Sequence, residues 1–537
     1  MSKILETYTE LFNRSKELYN EKPAYYIPKG KSYYSISYNQ FTDDVFNLAA
    51  AITSKFENEE KIAVLGENSY NWVLSYFGTT VSGKVIVPID KELTAPEVNN
   101  ILTSAEVNVL FCSDDYMEIA DGLTRKLTVI NTTENDEMKA LITLGAKLRE
   151  TNPTFGQNEV PNSLSTIVFT SGTTGFAKGV MLTRRNFFFH IDQCRRFINL
   201  LGVSFSVLPM NHTYEFTLNV IFPIYQGGTL AINNSIKYVA QNIKMFKPDY
   251  LVVVPLVAQT LMDAVWRKIE EQGKLKSVKN AIKISRALKA VGIDVRRKMF
   301  AKILEGFGGN VKQIFVGGSY VSPTMAQQYY DFGVQTQIGY GITECSPLIS
   351  GNVNNKRSRL NNCGVPVPDM QVKIVDQNEN GDGEIIVKGE NVMLGYYNNT
   401  QATNDIIKDG WFFTGDLGHL NKRGEVVITG RKKNLIVLNN GKNVYPEEIE
   451  MLLAQNSPLI SEVVVSAPQT DQNLETAIQA EIFVHKDILA HTPTAKDIIR
   501  QEIELFNETL PYFKRLAVVN FRDNEFPKTT TKKIKRY

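Results

Sequence analysis

Residues 167–180 read Ile-Val-Phe-Thr-Ser-Gly-Thr-Thr-Gly-Phe-Ala-Lys-Gly-Val, and this stretch decides how the chain is interpreted. An apolar run leads into a loop, residues 170–179, that holds three glycines, four hydroxyl side chains and Lys178. Backbone N–H groups and hydroxyls in such a loop can surround phosphate oxygens, and the lysine adds a positive charge. The alternative is an ordinary surface turn, because Gly/Ser/Thr clusters are typical of turns.

The spacing of this loop differs from that of a Walker A phosphate loop. Placed on Gly172, the Walker pattern needs glycine at 177 and a hydroxyl residue at 179, where this chain has Ala177 and Gly179. Residues 180–183 are a strand-like run, so the segment predicts strand–loop–strand and not strand–loop–helix.

Composition indicates a large globular protein. The chain has 537 residues, 43% hydrophobic and 22% charged, and its 59 basic and 57 acidic residues leave a net charge of +2. This excludes a disordered chain and argues against a dedicated nucleic-acid binder, which needs a strong cationic excess. Four widely spaced cysteines with no CxxC pair, and an amphipathic, acid-containing N-terminus in place of a signal peptide, predict a cytoplasmic location.

Short apolar runs alternate with helical patterns through most of the chain, which predicts an α/β fold of parallel sheets with flanking helices. Short strands with Gly and Asn turns around 383–388 and 426–429 predict a more antiparallel region. Beyond Gly430 a basic segment precedes a helix that begins at Pro446, a residue favoured at the first helical position. The elements that follow predict a small α+β module, so we expect two domains, 1–432 and 433–537. The predicted strands are 61–65, 85–88, 107–111, 127–131, 166–170, 462–467, 477–484 and 516–522, and a helix is predicted at 495–509.

Thr170–Val180 resembles the phosphate loop of the adenylate-forming, AMP-binding (ANL) superfamily. Four more motifs follow in that family's order: GYGITE at 339–344, GWFFTGD at 410–416, Gly430-Arg431 with Gly441 downstream, and PKTTTKKIKR at 527–536. Residues 208–215 and 440–448 are most similar to long-chain fatty acid–CoA ligases (acyl-CoA synthetases). The resemblance implies a large N-terminal body of stacked sheets with flanking helices, plus a small C-terminal α+β domain on a hinge.

The resemblance also implies a nucleotide site. The residues expected to bind the ATP phosphates are Thr170, Ser171, Gly172, Thr173, Thr174, Gly175 and Lys178. Those expected around the adenine and ribose are Gly317, Gly318, Ser319, Tyr340, Gly341, Asp416 and Arg431. Thr343 and Glu344 supply hard oxygen ligands for Mg²⁺. Outside the family pattern, Tyr340 would be an ordinary half-buried aromatic and Asp416 a turn-capping residue.

Three further positions are implied to act during the reaction. Lys533 matches the family's catalytic lysine, which places positive charge where a carboxylate meets the α-phosphate. Lys433 occupies the hinge position, and Gly441 would line a tunnel for the pantetheine arm. A basic tail of this kind is otherwise typical of a disordered end or a nucleic-acid arm.

His212 and Glu215 lie in the segment that shapes the acyl pocket in relatives. His212 could orient the substrate carboxylate, and a histidine held by core partners is the alternative. An amino-acid-activating domain is expected to have aspartate in this region, which the chain lacks. Two departures from the family are Ala177, usually proline, and Lys532, often glycine.

The resemblance therefore implies an AMP-forming acid–thiol ligase of fatty acid metabolism. It would use ATP and Mg²⁺ to convert a medium- or long-chain acid to an acyl-adenylate, and then transfer the acyl group to coenzyme A. Transfer to an acyl carrier protein and an aryl acid substrate are the alternatives. A nucleotide-binding regulator without catalysis is disfavoured by the intact Lys533, Glu344 and Asp416. We expect no nucleic-acid partner and at most peripheral contact with membranes.

Overall fold

The computed structural model describes residues 4–133, 136–170, 177–198, 200–352, 362–438, 443–467, 477–529 and 533–536. Its strands up to residue 351 are β1 (Pro23–Lys29), β2 (Ser32–Ser37), β3 (Lys61–Leu65), β4 (Val85–Ile89), β5 (Val109–Cys112), β6 (Thr128–Asn131), β7 (Leu164–Thr170), β8 (Lys178–Thr183), β9 (Val203–Ser206), β10 (Thr229–Ile232), β11 (Tyr250–Val253), β12 (Gln313–Val316), β13 (Gln335–Gly341) and β14 (Leu348–Gly351).

The later strands are shorter on average and more often antiparallel. They are β15 (Val365–Pro366), β16 (Gln371–Val375), β17 (Gly383–Lys388), β18 (Gly395–Tyr396), β19 (Ile407–Lys408), β20 (Trp411–Leu420), β21 (Val426–Arg431), β22 (Ile436–Val437), β23 (Asn443–Val444), β24 (Glu462–Ser466), β25 (Ile478–Phe483) and β26 (Leu516–Arg522).

Helices separate most of these strands. They are α1 (Tyr8–Tyr19), α2 (Tyr38–Lys55), α3 (Tyr70–Val81), α4 (Ala95–Ser104), α5 (Met117–Asp121), α6 (Asp136–Thr151), α7 (Arg184–Phe197), α8 (Thr213–Glu215), α9 (Phe222–Gln226), α10 (Val239–Phe246), α11 (Pro255–Glu271), α12 (Leu275–Ala290), α13 (Arg296–Met299), α14 (Ala301–Leu304), α15 (Pro323–Asp331), α16 (Thr400–Ile406), α17 (Pro446–Asn456), α18 (Lys486–His491) and α19 (Ala495–Thr509).

The largest sheet has the strand order β18-β8-β7-β4-β3-β5-β6. Strands β4, β3, β5 and β6 pair in parallel, and helical segments connect them. Helices α2, α3 and α6 contribute to the apolar core on one side, whereas α4 packs into a separate cluster on the other. Because both faces are covered, β3 is buried along its whole length, as expected for a parallel sheet.

A second sheet, β11-β12-β13-β14-β15, carries parallel strands at its centre. Its own apolar cluster includes residues of α11, α15 and the strands between them. Two further sheets complete the body: β2-β1-β10-β9, and an antiparallel sheet built on β16, β17, β20 and β21. The predicted α/β class and the antiparallel region around 383–429 are confirmed.

The C-terminal segment has a hydrophobic cluster of its own, formed by residues between Leu438 and Leu516. Strands β24, β25 and β26 form its sheet, and α17 and α19 pack in the same cluster. Pro446 lies in the first turn of α17, as predicted. The boundary between residues 432 and 433 stays a prediction.

Strands β7 and β8 form an antiparallel hairpin in which Thr170 lies opposite Lys178, which confirms the predicted strand–loop–strand arrangement. Arg184 follows β8, and its guanidinium group is fully buried at the base of the hairpin. It donates to the Glu159 carboxylate (2.9 Å) and to the carbonyl oxygens of Leu164 (2.9 Å) and Thr80 (2.6 Å). Glu159 also accepts from the backbone N–H of Thr9 at the start of α1.

None of the helices in the described part of the chain combines the length and the apolar character needed to cross a bilayer.

Replacing Glu159 with glutamine tests the buried ion pair. The E159Q protein leaves the Arg184 charge buried without its counterion, so we expect it to lose about 3 kcal/mol of unfolding free energy. The denaturant midpoint of the full chain measures this loss. Glu17→Gln on the exposed side of α1 is the matched control and should change the midpoint little. An E159Q midpoint equal to that of the control would contradict the role given to this pair.

Candidate active site

Asp416 is at the centre of a polar cluster formed by three strands. Its carboxylate is only 5% exposed, and β20 and β21 pair in a register that sets it opposite Arg431. Asp416 Oδ1 pairs with Arg431 Nε at 2.5 Å, and Oδ2 accepts from the Tyr340 hydroxyl at 2.7 Å. The Asp416 charge raises the pKa of Arg431, while burial, followed by Asp416, raises that of Tyr340. The three predicted nucleotide residues are thus in direct contact.

Two glycines follow β12 and lie close to β13 and to Tyr214. A Cβ atom on Gly317 would lie 3.2 Å from the Gly339 carbonyl oxygen and 3.3 Å from the Tyr214 ring. Gly318 has a φ of +90°, which L side chains rarely adopt. Ser319, next along the chain, is exposed. Tyr214 is a site residue that the sequence analysis did not identify.

Lys533 reaches the same place from the far end of the chain. Its Cε atom lies 3.8 Å from the position that a Cβ on Gly318 would occupy. The side chain keeps contact with solvent, but the protein around it lowers its pKa by desolvation, and Arg431 lowers it further. The Asp416 and Glu344 carboxylates oppose that lowering of the Lys533 pKa.

Two other cations of the tail, Lys528 and Arg536, form ion pairs within the C-terminal segment. Lys528 pairs with Glu462 and with Glu525, and Arg536 pairs with Glu450. Thr529 and Lys533 are joined by two hydrogen bonds, from Thr529 N to Lys533 O (2.8 Å) and from Lys533 N to Thr529 Oγ1 (3.1 Å). We call the described tail residues, 527–529 and 533–536, the hook, and in it Lys533 lies beside Gly318 of the body.

Glu344 is connected to the β7–β8 hairpin through Tyr396. The Tyr396 hydroxyl donates to Glu344 Oε1 at 2.9 Å, and the Lys178 ammonium lies 5.0 Å from the centre of the Tyr396 ring. Tyr396 also lies opposite Val180 in the sheet, so the hairpin holds it in place. The sequence carried no signal for Tyr396, because an isolated Gly-Tyr pair is common in loops.

The predicted magnesium ligands, Thr343 and Glu344, are consecutive residues in a short helical turn after β13. Among the described residues, no group of three or more His, Cys, Asp or Glu could hold a metal ion by itself. Mg²⁺ commonly binds through one or two carboxylates together with substrate phosphates and water. One carboxylate and one hydroxyl therefore fit an ion that arrives with a nucleotide.

His212 precedes α8 and lies 3.6 Å, Nε2 to Oδ2, from Asp90 at the end of β4. Desolvation lowers its pKa, Asp90 opposes this, and Lys533 adds a smaller lowering effect. His212 is thus close to the tail lysine and has an acidic partner that the sequence analysis did not identify.

Glu215 is fully buried, and Asn219 Nδ2 donates to its Oε2 at 3.0 Å. Burial raises the pKa of Glu215 to about 8, although hydrogen bonds from Ser206, Asn219 and Leu208 partly oppose the shift. Burial therefore favours the neutral, protonated form of this side chain. Beyond it, residues Phe216–Ile221 form a widened, fully buried helical turn.

Some of the predicted site residues are not part of the Asp416 cluster, and others lie outside the described residues. Lys433 follows Arg431 and is exposed, and its pKa is lowered by desolvation and by Arg431. Thr170 and Lys178 lie at the two ends of the predicted phosphate loop, and Gly341 is packed tightly against the Pro347 carbonyl. Ser171, Gly172, Thr173, Thr174, Gly175 and Gly441 lie outside the described residues.

A family model described as AMP-binding enzyme matches residues 12–397. The rat (Rattus norvegicus) protein named long-chain-fatty-acid–CoA ligase ACSBG2 is 25% identical, over 85% of this chain and 74% of its own length. The Arabidopsis thaliana protein named long-chain-fatty-acid–acyl-carrier-protein ligase AEE15, chloroplastic, is 28% identical over the same shares. A crystal structure of the anthranilate CoA ligase AuaEII with anthranoyl-AMP is 19% identical and superposes with a TM-score of 0.78, over 99% of this chain and 96% of that one.

The chain belongs to the AMP-binding enzyme family. The predicted family, its architecture and the class of AMP-forming acid–thiol ligase are confirmed. The roles of individual residues stay predictions.

A pH series tests the neutral state of Glu215. In the folded chain its pKa of about 8 lies above the value of an unfolded glutamate, so the unfolded state alone releases the proton between about pH 4.5 and 8. Relative to E215Q, the parent should lose up to about 1.4 kcal/mol of unfolding free energy per pH unit across that window. Denaturant unfolding of both proteins from pH 5 to 8 measures the difference. Parallel pH profiles would contradict the assignment.

Proposed function

We propose that this enzyme uses ATP to activate a long-chain fatty acid as an acyl-adenylate, and then transfers the acyl group to coenzyme A with release of AMP. The observation that carries the proposal is the position of Lys533. A residue of the extreme tail lies next to Gly318 and within electrostatic reach of Arg431, Asp416 and Glu344. A tail that only stabilised the C-terminal segment would not need a lysine next to Gly318 of the body.

The first step brings two anions together, the substrate carboxylate and the α-phosphate of ATP. The lysine charge stabilises the reacting phosphoryl group as negative charge accumulates on it. The lowered pKa of Lys533 reflects a partly desolvated ammonium, and a desolvated charge interacts more strongly with phosphate oxygens. Attack on the α-phosphate forms the acyl–phosphate bond and releases pyrophosphate.

Thr343 and Glu344 would hold Mg²⁺, which supplies charge neutralisation for the leaving pyrophosphate. The Tyr396 hydroxyl donates to Oε1 of Glu344 and orients the carboxylate. The second oxygen, Oε2, would then be the ligand for the ion. Lys178 lies at the end of the predicted phosphate loop, and its ammonium lies over the ring of the same tyrosine. It would add positive charge for the ATP phosphates.

The nucleoside would be held by the Asp416 cluster. A buried carboxylate that is paired with Arg431 would be a strong acceptor for the two ribose hydroxyls. Gly317 and Gly318 carry no side chain, so an adenine ring could approach the backbone after β12 closely.

The acid would enter near His212. The neutral Glu215 and the fully buried turn that follows it suit an apolar chain, because neither would repel the substrate carboxylate or leave an unpaired charge beside a lipid tail. The name of the rat relative supports a long-chain fatty acid. A cytoplasmic location, suggested by the four free thiols, remains part of this proposal.

Thioester formation requires the reacting lysine to leave. We place the hinge at Lys433 and the pantetheine tunnel at Gly441. Because Lys528 and Arg536 are tied to the C-terminal segment by ion pairs, a rotation of that segment carries Lys533 with it. The thiolate of coenzyme A then attacks the acyl carbonyl, and AMP leaves.

Lys533→Ala tests the first step. The variant should release pyrophosphate about 10²- to 10³-fold more slowly, because the charge that stabilises the reacting phosphoryl group is removed. Lys535→Ala is the matched control, since Lys535 is also an exposed lysine of the hook. Equal adenylation rates in the two variants would remove Lys533 from the mechanism, and ADP as product would exclude the reaction itself.

The acid and the acceptor are tested with one panel of assays. We expect acid-dependent pyrophosphate release to be highest with C12–C18 fatty acids and low with benzoate or anthranilate. Thioester formation should proceed with free coenzyme A. If only a phosphopantetheinylated acyl carrier protein accepted the acyl group, as the name of the Arabidopsis relative suggests for that protein, the acceptor would have to be revised.

A further inference from the structure

Helix α12 lies in a strongly basic stretch of the chain. Residues 272–293 contain six lysines and arginines and no aspartate or glutamate, whereas the whole chain has a net charge of only +2. The rest of the chain therefore carries a net negative charge.

One face of α12 holds the helix to the body. Ile282 and Ser285 are buried, and the helix contacts α11, α13 and α15. Arg286 forms two hydrogen bonds to the Asp331 carboxylate, at 2.9 and 2.6 Å. Lys289 pairs with Asp294 at 2.8 Å. Two of the six cations are thus explained by contacts that fix the helix.

The opposite face is different. Lys276, Lys279 and Lys283 are exposed, and their spacing of three and four residues puts them along one side of the helix. In the part of the chain that the structure describes, no ion pair involves any of these three ammonium groups. Ion pairing within the fold therefore does not explain why three lysines lie together on this face.

Three exposed aliphatic side chains lie on the C-terminal half of α12 and directly after it. Ile284, Val291 and Ile293 are 56%, 73% and 52% exposed. Ile284 follows Lys283 on the helix, Val291 is the capping residue directly after the last helical residue, and Ile293 comes two residues later. Single exposed aliphatics are ordinary, but three of them next to three unpaired cations form a mixed basic and apolar surface.

We propose that this surface, the α12 face, docks the enzyme on an anionic lipid bilayer. The lysines would lie against the negative headgroups, and the three aliphatics would enter the boundary between headgroups and acyl chains. Charge complementarity favours this occupant, and a lipid surface accounts for the exposed aliphatics as well. Nucleic acid is less favoured, because the face offers no aromatic ring for base stacking and would leave its aliphatics in water.

Docking of this kind does not depend on the ligase activity proposed above, and it is measured without substrates. The full-length protein is incubated with vesicles of phosphatidylcholine alone, or of phosphatidylcholine mixed with phosphatidylglycerol, and the bound fraction is measured by co-sedimentation. We expect binding to the mixed vesicles only. Raising the salt concentration from ~0.05 M to ~0.5 M should weaken it, because the Debye length shortens.

Two variants separate the contributions. In K276Q/K279Q/K283Q, loss of roughly 1 kcal/mol per lysine should weaken binding about fivefold for each and about a hundredfold together. K126Q/K139Q/K422Q removes three exposed lysines elsewhere and is the control for net charge. I284N/V291N should weaken binding about tenfold or more while leaving the salt dependence in place. Unchanged thermal unfolding shows that each variant is folded.

The proposal fails if the protein binds neither vesicle or both equally. It also fails if the two lysine triples lose the same affinity, because binding would then reflect net charge. A third contrary result is strong binding of a single-stranded RNA oligonucleotide that depends on the three lysines while vesicles are not bound. Selective loss of binding to mixed vesicles in the α12 lysine triple supports it.

Discussion

The buried guanidinium group of Arg184 is the constraint from which the site is built. It cannot be solvated, so its charge has to be met by Glu159 and by carbonyl oxygens at fixed positions. Those partners come from the start of β7, the end of α3 and the segment that Glu159 joins to α1. The base of the β7–β8 hairpin is therefore held from several directions. A hairpin held at its base keeps Thr170 and Lys178, which lie opposite each other at the two ends of the predicted phosphate loop, at defined positions.

The β7–β8 hairpin also positions Glu344, one of the predicted magnesium ligands. Strand β18 pairs with β8, which sets Tyr396, and Tyr396 in turn holds Glu344 beside the end of β13. On the other side of β13, Tyr340 joins the Asp416–Arg431 pair. Groups more than two hundred residues apart in sequence thus meet through sheet register and two tyrosine hydroxyls. Only Lys533 depends on the C-terminal segment.

The sequence predicted the elements well where the pattern was local. Strand β3, strand β17, helix α19 and strand β26 have the predicted bounds. Val107 was placed in a strand, but its N–H donates to Leu102 and completes the turn after α4, so β5 begins two residues later. The motif residues Tyr340, Asp416 and Arg431 were found because the family marks them. Tyr396, Asp90 and Tyr214 were not, since their roles arise from pairings between distant strands that no local pattern records.

The hook at the end of the chain has a consequence for heat inactivation. It is fixed by Glu450 and Glu462, which belong to a segment with its own apolar cluster, while the Asp416 and Glu344 groups belong to the body. If that smaller cluster melts first, the lysine is lost from the cleft although the nucleotide groups remain in place. The enzyme would then lose activity at a temperature below that at which the body unfolds, and cooling would restore it.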